Sequence, residues 1–477
     1  MAMVEEGNVP LLENGGEVGF TRRLIEENKK LWVVAGPSIC TRFSTFGLTV
    51  ISQAFIGHIG VVELSAFALV STVIMRFSTG IMLGMASALE TLCGQSYGAG
   101  QYNMMGIYLQ RSWIILTGCA LLNLPIYLFA EPLLVLIGQD PEICAVAGTI
   151  SLWYIPVLFS FIGNFTLQMY LQAQSKNMII TYLAILNMAL HLGLSWLLTS
   201  KFQLGLAGVM ISLIIASWIP TIGQLAYVFL GGCPLTWSGF STKALADLLP
   251  IVKLSLSSGV MLCLELWYSS VLVLLTGYLA NPEIALNALS ICLNINGLEM
   301  MISIGFLAAT GVRVANELGA GSARRAKFSI YNVVITSFSI GFVLFVLFLV
   351  LRGRLSYIFT DSEVVASAVA DLSPLLAFSI LLNSVQPVLS GVAVGAGWQG
   401  IVAYVNITTY YLIGIPIGAI LGYVLGYHVE GIWVGMLLGT LVQTIVLLFI
   451  TIRTDWDKQV EAARERVNRW NIDGVKR

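Results

Sequence analysis

Charge is what this 477-residue chain has least of: Asp, Glu, Lys and Arg together make up 10% of it, against roughly 25% in an ordinary globular protein. With 24 basic and 25 acidic residues, it cannot cover a water-soluble surface of that size. The net charge of −1 excludes a nucleic-acid binder, whose affinity would come from clustered Lys and Arg. The seven cysteines show neither zinc-ligand spacing nor a secreted disulfide framework, and Cys40, Cys119, Cys263 and Cys292 stand inside apolar runs. The three histidines, His58, His191 and His428, are scattered, so no metal site and no cofactor is expected. No Gly-x-x-x-x-Gly-Lys-Ser/Thr phosphate loop occurs, so ATP does not drive a cycle from within the chain. The first 30 residues lack the apolar stretch and cleavage site of a signal peptide. They read as a polar tail that contains an imperfect acidic-dileucine stretch, Glu6 to Leu12.

Apolar residues, in contrast, make up 57% of the chain, and mean hydropathy is +0.87 over its whole length. Runs that can cross a bilayer, each needing about 20 residues, lie at 31–57, 64–88, 112–137, 146–170, 179–199, 205–230, 249–277, 284–310, 328–351, 366–394, 402–424 and 431–452. Twelve spans put both termini on one side. Nineteen basic residues fall on that side, against Lys201, Arg352 and Arg354 opposite, so the positive-inside rule predicts cytosolic termini.

The chain repeats itself. Gly57 to Leu69 aligns with Gly277 to Leu289 at an offset of 220, and Gly98-Ala-Gly100 with Gly319-Ala-Gly321 at 221. Thr181-Tyr182 aligns with Ala403-Tyr404 at 222, and Gly208 with Gly431 at 223. An ordered drift of this kind is what tandem duplication with small insertions leaves. Each copy holds six spans, so the copies are parallel, an arrangement in which transporters bind substrate between two halves. The expected architecture is all-α integral membrane: a cytosolic tail at 1–30, an N-lobe at 31–230, a cytosolic linker at 231–248, a C-lobe at 249–453 and a cytosolic tail at 454–477.

Ionisable groups in mid-span are costly and mark function by default. Four are clear: Arg42, Arg76, Glu265 and Glu299. Glu90 lies closer to the cytosolic end of its span, where it more easily reaches water. Glu265 is halfway along span 7, and a carboxyl removed from water favours its neutral form, so it can exchange a proton as water access changes. The repeat offset maps it onto Thr45, so the first half carries no counterpart. Asn294, Asn383 and Gln386 are the nearest polar residues by depth, and Tyr268 is one turn from Glu265. These could form a supporting network or simply bond between helices. Arg76 and Glu299 have opposite charge and similar depth, which allows either a charge pair across the cleft or separate partners. Pro37 and Pro387 interrupt or loosen their helices. Asn164-Phe-Thr and Asn406-Ile-Thr fit a glycosylation pattern but lie within spans. Trp267, Tyr268, Phe161, Phe165 and Met300 suit planar aromatic ligands or serve as core.

The stretch Gly84 to Gly100, GMASALETLCGQSYGAG, resembles the multidrug and toxic compound extrusion (MATE) family in its plant subgroup. So do Leu171 to Asn177, Asn316 to Gly321, Val388 to Val392 and Gly397-Trp398-Gln399. The resemblance covers roughly residues 30–455. It implies twelve helices in two six-helix lobes, and export of organic compounds, such as xenobiotics or flavonoids, by alternating access. It further implies H+ in preference to Na+ as coupling ion, and a place in the vacuolar or plasma membrane. Glu265 matches the family's span-7 carboxylate, whereas the span-10 position that often carries Asp is Asn383. A small-molecule organic substrate and the lipid bilayer are the expected partners, with no nucleic acid and a single chain as the working unit.

A major-facilitator transporter would carry a charged loop between spans 2 and 3, and here no basic residue precedes Arg111. A lipid-linked-sugar or other amphiphile flippase of related architecture would need more cationic residues than Arg42 and Arg76. A membrane enzyme would need a clustered nucleophile, metal or acid–base set, which the spans do not offer.

Overall fold

Inside a bilayer no water satisfies the backbone, so an apolar run must close its own hydrogen bonds, and a helix does this within one segment. The computed structural model describes residues 19–279, 282–352, 354–358 and 361–469. Among these, twelve helices are long and apolar enough to cross a membrane. They are α1 (Phe20–Gly57), α2 (Val61–Gly98), α3 (Asn103–Leu128), α4 (Pro141–Ala173), α5 (Met178–Lys201), α6 (Leu206–Gly232), α7 (Leu248–Gly277), α8 (Pro282–Gly319), α9 (Ala323–Val350), α10 (Glu363–Ala396), α11 (Gln399–Val424) and α12 (His428–Arg453). A polar amphipathic helix, α13 (Trp456–Arg469), follows. The stretch Glu6 to Leu12, together with Lys476 and Arg477, lies outside the described residues.

The two halves repeat one packing scheme. α1 packs on α5 as α7 does on α11, α3 on α4 as α9 on α10, and α4 on α6 as α10 on α12. The lobes meet through α2 against α7, α1 against α8, and α2 against α8. The α2–α8 contact explains the repeated Gly-Ala-Gly. A Cβ on Gly98 would sit 2.0 Å from the Asn316 carbonyl oxygen, and one on Gly319 would sit 2.0 Å from that of Gln95. Only glycine lets these two backbones cross so closely. Repeat-related amides seal the same crossing: Gln95 Nε2 donates to the Gly395 carbonyl at 2.9 Å, and Asn316 Nδ2 to the Ala173 carbonyl at 3.4 Å.

This crossing lies toward the face where α1 begins and α12 ends, called here the terminal face. α13 lies across it, burying Trp456, Ala463 and Val467. Arg466 Nη1 reaches Gln95 Oε1 of the N-lobe at 2.8 Å and the Ala396 carbonyl of the C-lobe at 3.4 Å. The segment assigned by polarity to a tail is thus an ordered strap over residues 456–469.

Polarity also places the start of span 1 late, because residues 20–30 are charged yet form the first turns of α1. Their charges are used in docking. Glu27, 8% exposed, accepts two hydrogen bonds from Arg313 of α8, at 2.9 and 3.0 Å, and one from Ser329 of α9. Arg313 also pairs with Glu317 at 2.6 Å, and Glu317 with Arg325 at 2.8 Å. Breaking a buried pair strands a charge at a cost of roughly 3 kcal/mol or more. Glu27→Ala is therefore expected to lower the thermal midpoint of the detergent-solubilised protein markedly and Glu27→Asp less, which a melting curve would check.

α1 runs unbroken through Pro37. Proline has no N–H, so the Val33 carbonyl loses its helical donor, and Asn177 Nδ2 replaces it at 3.0 Å. α10 does break, between Asn383 and Gln386, and Pro387 stands in the first turn of the continuing segment, where a missing N–H costs little. α9 turns Phe338, Phe342, Val343, Val346, Leu347 and Val350 outward, the surface a lipid-facing helix presents.

Candidate functional site

A cavity of about 200 Å³ opens between the lobes, and the N-lobe lines it with Arg42 of α1, Glu90 of α2, and Phe165, Gln168 and Gln172 of α4. The C-lobe contributes Glu265 and Tyr268 of α7, Asn296 and Met300 of α8, Asn383 and Gln386 of α10, Tyr410 of α11 and Trp433 of α12.

Glu265 is held by three donors from two helices. Ser390 Oγ at 2.8 Å, Gln386 Nε2 at 3.2 Å and Asn406 Nδ2 at 3.4 Å all reach Oε1. Gln443 of α12 steadies Asn406 by donating to its Oδ1 at 2.9 Å. The break in α10 matters here, because Gln386 and Ser390, one turn apart on its second half, both face α7. Since the three donors converge on one oxygen, Oε2 keeps no protein donor among the described residues and is left for water, a proton or a ligand.

Of the residues expected around Glu265, only Gln386 touches it. Tyr268 turns its hydroxyl to the Met436 carbonyl at 2.6 Å and stacks on Tyr410, with ring centroids 4.1 Å apart. It shapes the cavity wall without contacting the carboxylate. Asn383 donates to Asn296 Oδ1 at 3.0 Å. Asn294 is exposed on the outer side of α8, because a two-residue step along a helix carries a side chain through about 200°. The residue facing the cavity is Asn296. Ser390, Asn406 and Gln443 complete the nest, and their sequence positions alone do not mark them as its members.

Arg76 and Glu299 do not pair. Glu299, 6% exposed, accepts from Ser303 at 2.6 Å, whereas Arg76 is exposed. Among the described residues no ion pair joins them. Phe77, next to Arg76, stacks on Trp267 with centroids 5.2 Å apart, so the contact at the lobe junction there is apolar. Glu90 does not reach bulk water either. It is 2% exposed and lies against Gly311 of α8, at the wall of the cavity.

Two six-helix lobes around a polar-lined central cavity define a multi-pass membrane transporter. The MatE family model matches residues 37–197 and 258–420, once in each half, and the chain belongs to that family, whose members are transporters and not enzymes. Protein DETOXIFICATION 21 of Arabidopsis thaliana is 62% identical over 464 residues, 96% of this chain and 94% of that protein. Protein DETOXIFICATION 20 of the same plant is 61% identical over 460 residues, again 96% and 94%. The crystal structure of the eukaryotic MATE transporter AtDTX14 is 33% identical and superposes with a TM-score of 0.88, covering 93% of this chain and 99% of that one. The Vibrio cholerae transporter VcmN, at 17% identity with a TM-score of 0.81 over 91% and 99% of the two chains, shares the fold.

Proposed function

We propose that this exporter moves organic compounds out of the cytosol in exchange for protons by alternating access, in the vacuolar or plasma membrane, with its terminal face cytosolic. The observation that carries the reading is the Glu265 nest. A carboxyl in a water-poor cavity, with one oxygen held by three neutral donors and the other open, can take up or lose a proton without an ion-pair partner to rearrange. Asn383 in place of a second carboxylate favours a single H+ over Na+, since hard cations are held by several charged or carbonyl oxygens. The nineteen basic residues on the side of the termini support the orientation. The duplicated lobes of one chain enclose the cavity between them, which supports a single chain as the working unit.

In the cycle, protonation of Glu265 from the far side removes its acceptor capacity toward substrate and releases it. Opening of the α2–α8 crossing at the terminal face then hydrates the site and lets the proton leave. Proteoliposomes with an acidic lumen should accumulate an organic substrate drawn from a panel of phenolics and organic cations, and a protonophore should abolish the accumulation. Uptake indifferent to the protonophore for every active compound would refute proton exchange.

A further inference from the structure

The cavity's N-lobe wall carries a group that the proton reading does not use. Arg42, from α1, is one of three charged residues lining the cavity, with Glu90 and Glu265. Its Nε is buried without a hydrogen-bond partner, and no ion pair reaches it among the described residues. Glu90, on the neighbouring helix, is near enough for its charge to attract Arg42, yet no hydrogen bond or contact ion pair joins them, and its side chain lies against Gly311 with Oε1 also unpartnered. Gln168, 4% exposed and lining the same wall, has an unpartnered Nε2. Gln172 beside it is committed to Ser38 at 2.8 Å.

A guanidinium left partly desolvated with no hydrogen-bonded acceptor is costly, and its planar fork suits a carboxylate or similar anion. Across the cavity the C-lobe wall carries a carboxylate and, among the described residues, no cationic side chain. Glu265 presents a free Oε2, a hydrogen-bond acceptor, beside the aromatic walls of Tyr268, Tyr410 and Trp433. Arg42 and Gln168 supply donors from the N-lobe, and Glu265 supplies an acceptor from the C-lobe.

We propose that Arg42 and Gln168 form an anion subsite, so that the preferred substrates are bipolar aromatics: a carboxylate-type anion bound in the N-lobe and a hydroxyl donor directed at Glu265. The inference rests on the exchange reading above and deepens it. A phenolic hydroxyl can donate to the ionised Glu265 but not in the same way to its protonated form, so proton uptake loosens one end while Arg42 keeps the orientation. A simple organic cation would satisfy Glu265 but leave Arg42 and Gln168 without an acceptor.

The test is equilibrium binding to the full-length protein in nanodiscs at neutral pH with no gradient, using 4-hydroxycinnamate, its methyl ester, and 4-hydroxyphenethyltrimethylammonium. The carboxylate should bind about tenfold or more tighter than the ester, the scale of one charge-assisted pair, and the cation should bind weakest. In Arg42→Gln the carboxylate-to-ester ratio should fall toward one, with Arg42→Lys between, because lysine keeps the charge without the fork. Should Arg42→Gln not fold, Gln168→Glu supplies an internal counter-ion and should collapse the same ratio. A ratio near one in the parent protein, a ratio that survives these substitutions, or preference for the cation would overturn the subsite. Binding without a gradient does not depend on proton coupling, so loss of the exchange reading would leave the ratio intact, and gradient-driven transport with a ratio of one would sink the subsite alone.

Discussion

Glu265→Gln is expected to give a protein that folds and inserts normally but whose proton-driven efflux falls to background. Glutamine has nearly the same shape and keeps an oxygen at Oε1, so Ser390, Gln386 and Asn406 retain their acceptor, and the packing of α7 against α10 and α11 is not disturbed. What is lost is the ability to bind and release a proton, and with it the coupling. Efflux from loaded proteoliposomes under an imposed pH gradient, beside a thermal melt of the same preparation, separates the two effects. Full transport by the variant would remove Glu265 from the mechanism. Asn406→Ala provides a graded comparison, because it removes the weakest of the three donors and the link to Gln443; a partial loss is expected.

The second large effect is expected at the lobe crossing. Gly98→Ala puts a methyl group 2.0 Å from the Asn316 carbonyl oxygen, and Gly319→Ala does the same against Gln95. Neither obstacle is a flexible side-chain tip, so α2 and α8 must separate, and the Gln95–Gly395 and Asn316–Ala173 hydrogen bonds stretch with them. Overpacking of this kind costs about 1–3 kcal/mol, enough to move a two-state equilibrium by roughly fivefold to a hundredfold. Each lobe should remain folded while the state closed at the terminal face loses population and turnover falls about tenfold. Spin-label distances between α2 and α8 near that face would report the opening. The two substitutions should act alike, because they are the two halves of one pseudo-symmetric contact, and a large effect from one with none from the other would contradict that picture.

The same crossing illustrates how much the sequence alone discloses. The offset of 221 between Gly98-Ala-Gly100 and Gly319-Ala-Gly321 reveals a parallel duplication, and the number of apolar runs reveals twelve spans, because bilayer thickness and backbone hydrogen bonding leave a long apolar segment little else to do. Glu265 was equally legible, since a carboxylate in mid-span is costly. Its partners were not. Depth along a span can be counted in sequence, whereas the direction a side chain points depends on helix rotation, and two residues of error separate Asn294 from Asn296. Asn406 carried a signal, an amide within an apolar run, that was absorbed by its fit to a glycosylation pattern. Ser390 carried less, being a small hydroxyl one turn beyond Gln386. The burial of Glu90 escapes the sequence, because distance from the end of a span measures access to water only where no second helix lies over it, and α8 does so here. The helical course of residues 20–30 escaped for a related reason: Glu27 reads as a solvated charge until Arg313, from the other lobe, is brought against it.

The central claim is that substrate and proton move in opposite directions through one protonatable site. Its most direct measurement follows the pH inside acid-lumen proteoliposomes, with a trapped pH-sensitive dye, when a transported organic compound is added outside. The account expects substrate-dependent alkalinisation of the lumen with the parent protein and none with Glu265→Gln. Accumulation of substrate without lumenal alkalinisation, or equal alkalinisation by the variant, would contradict it.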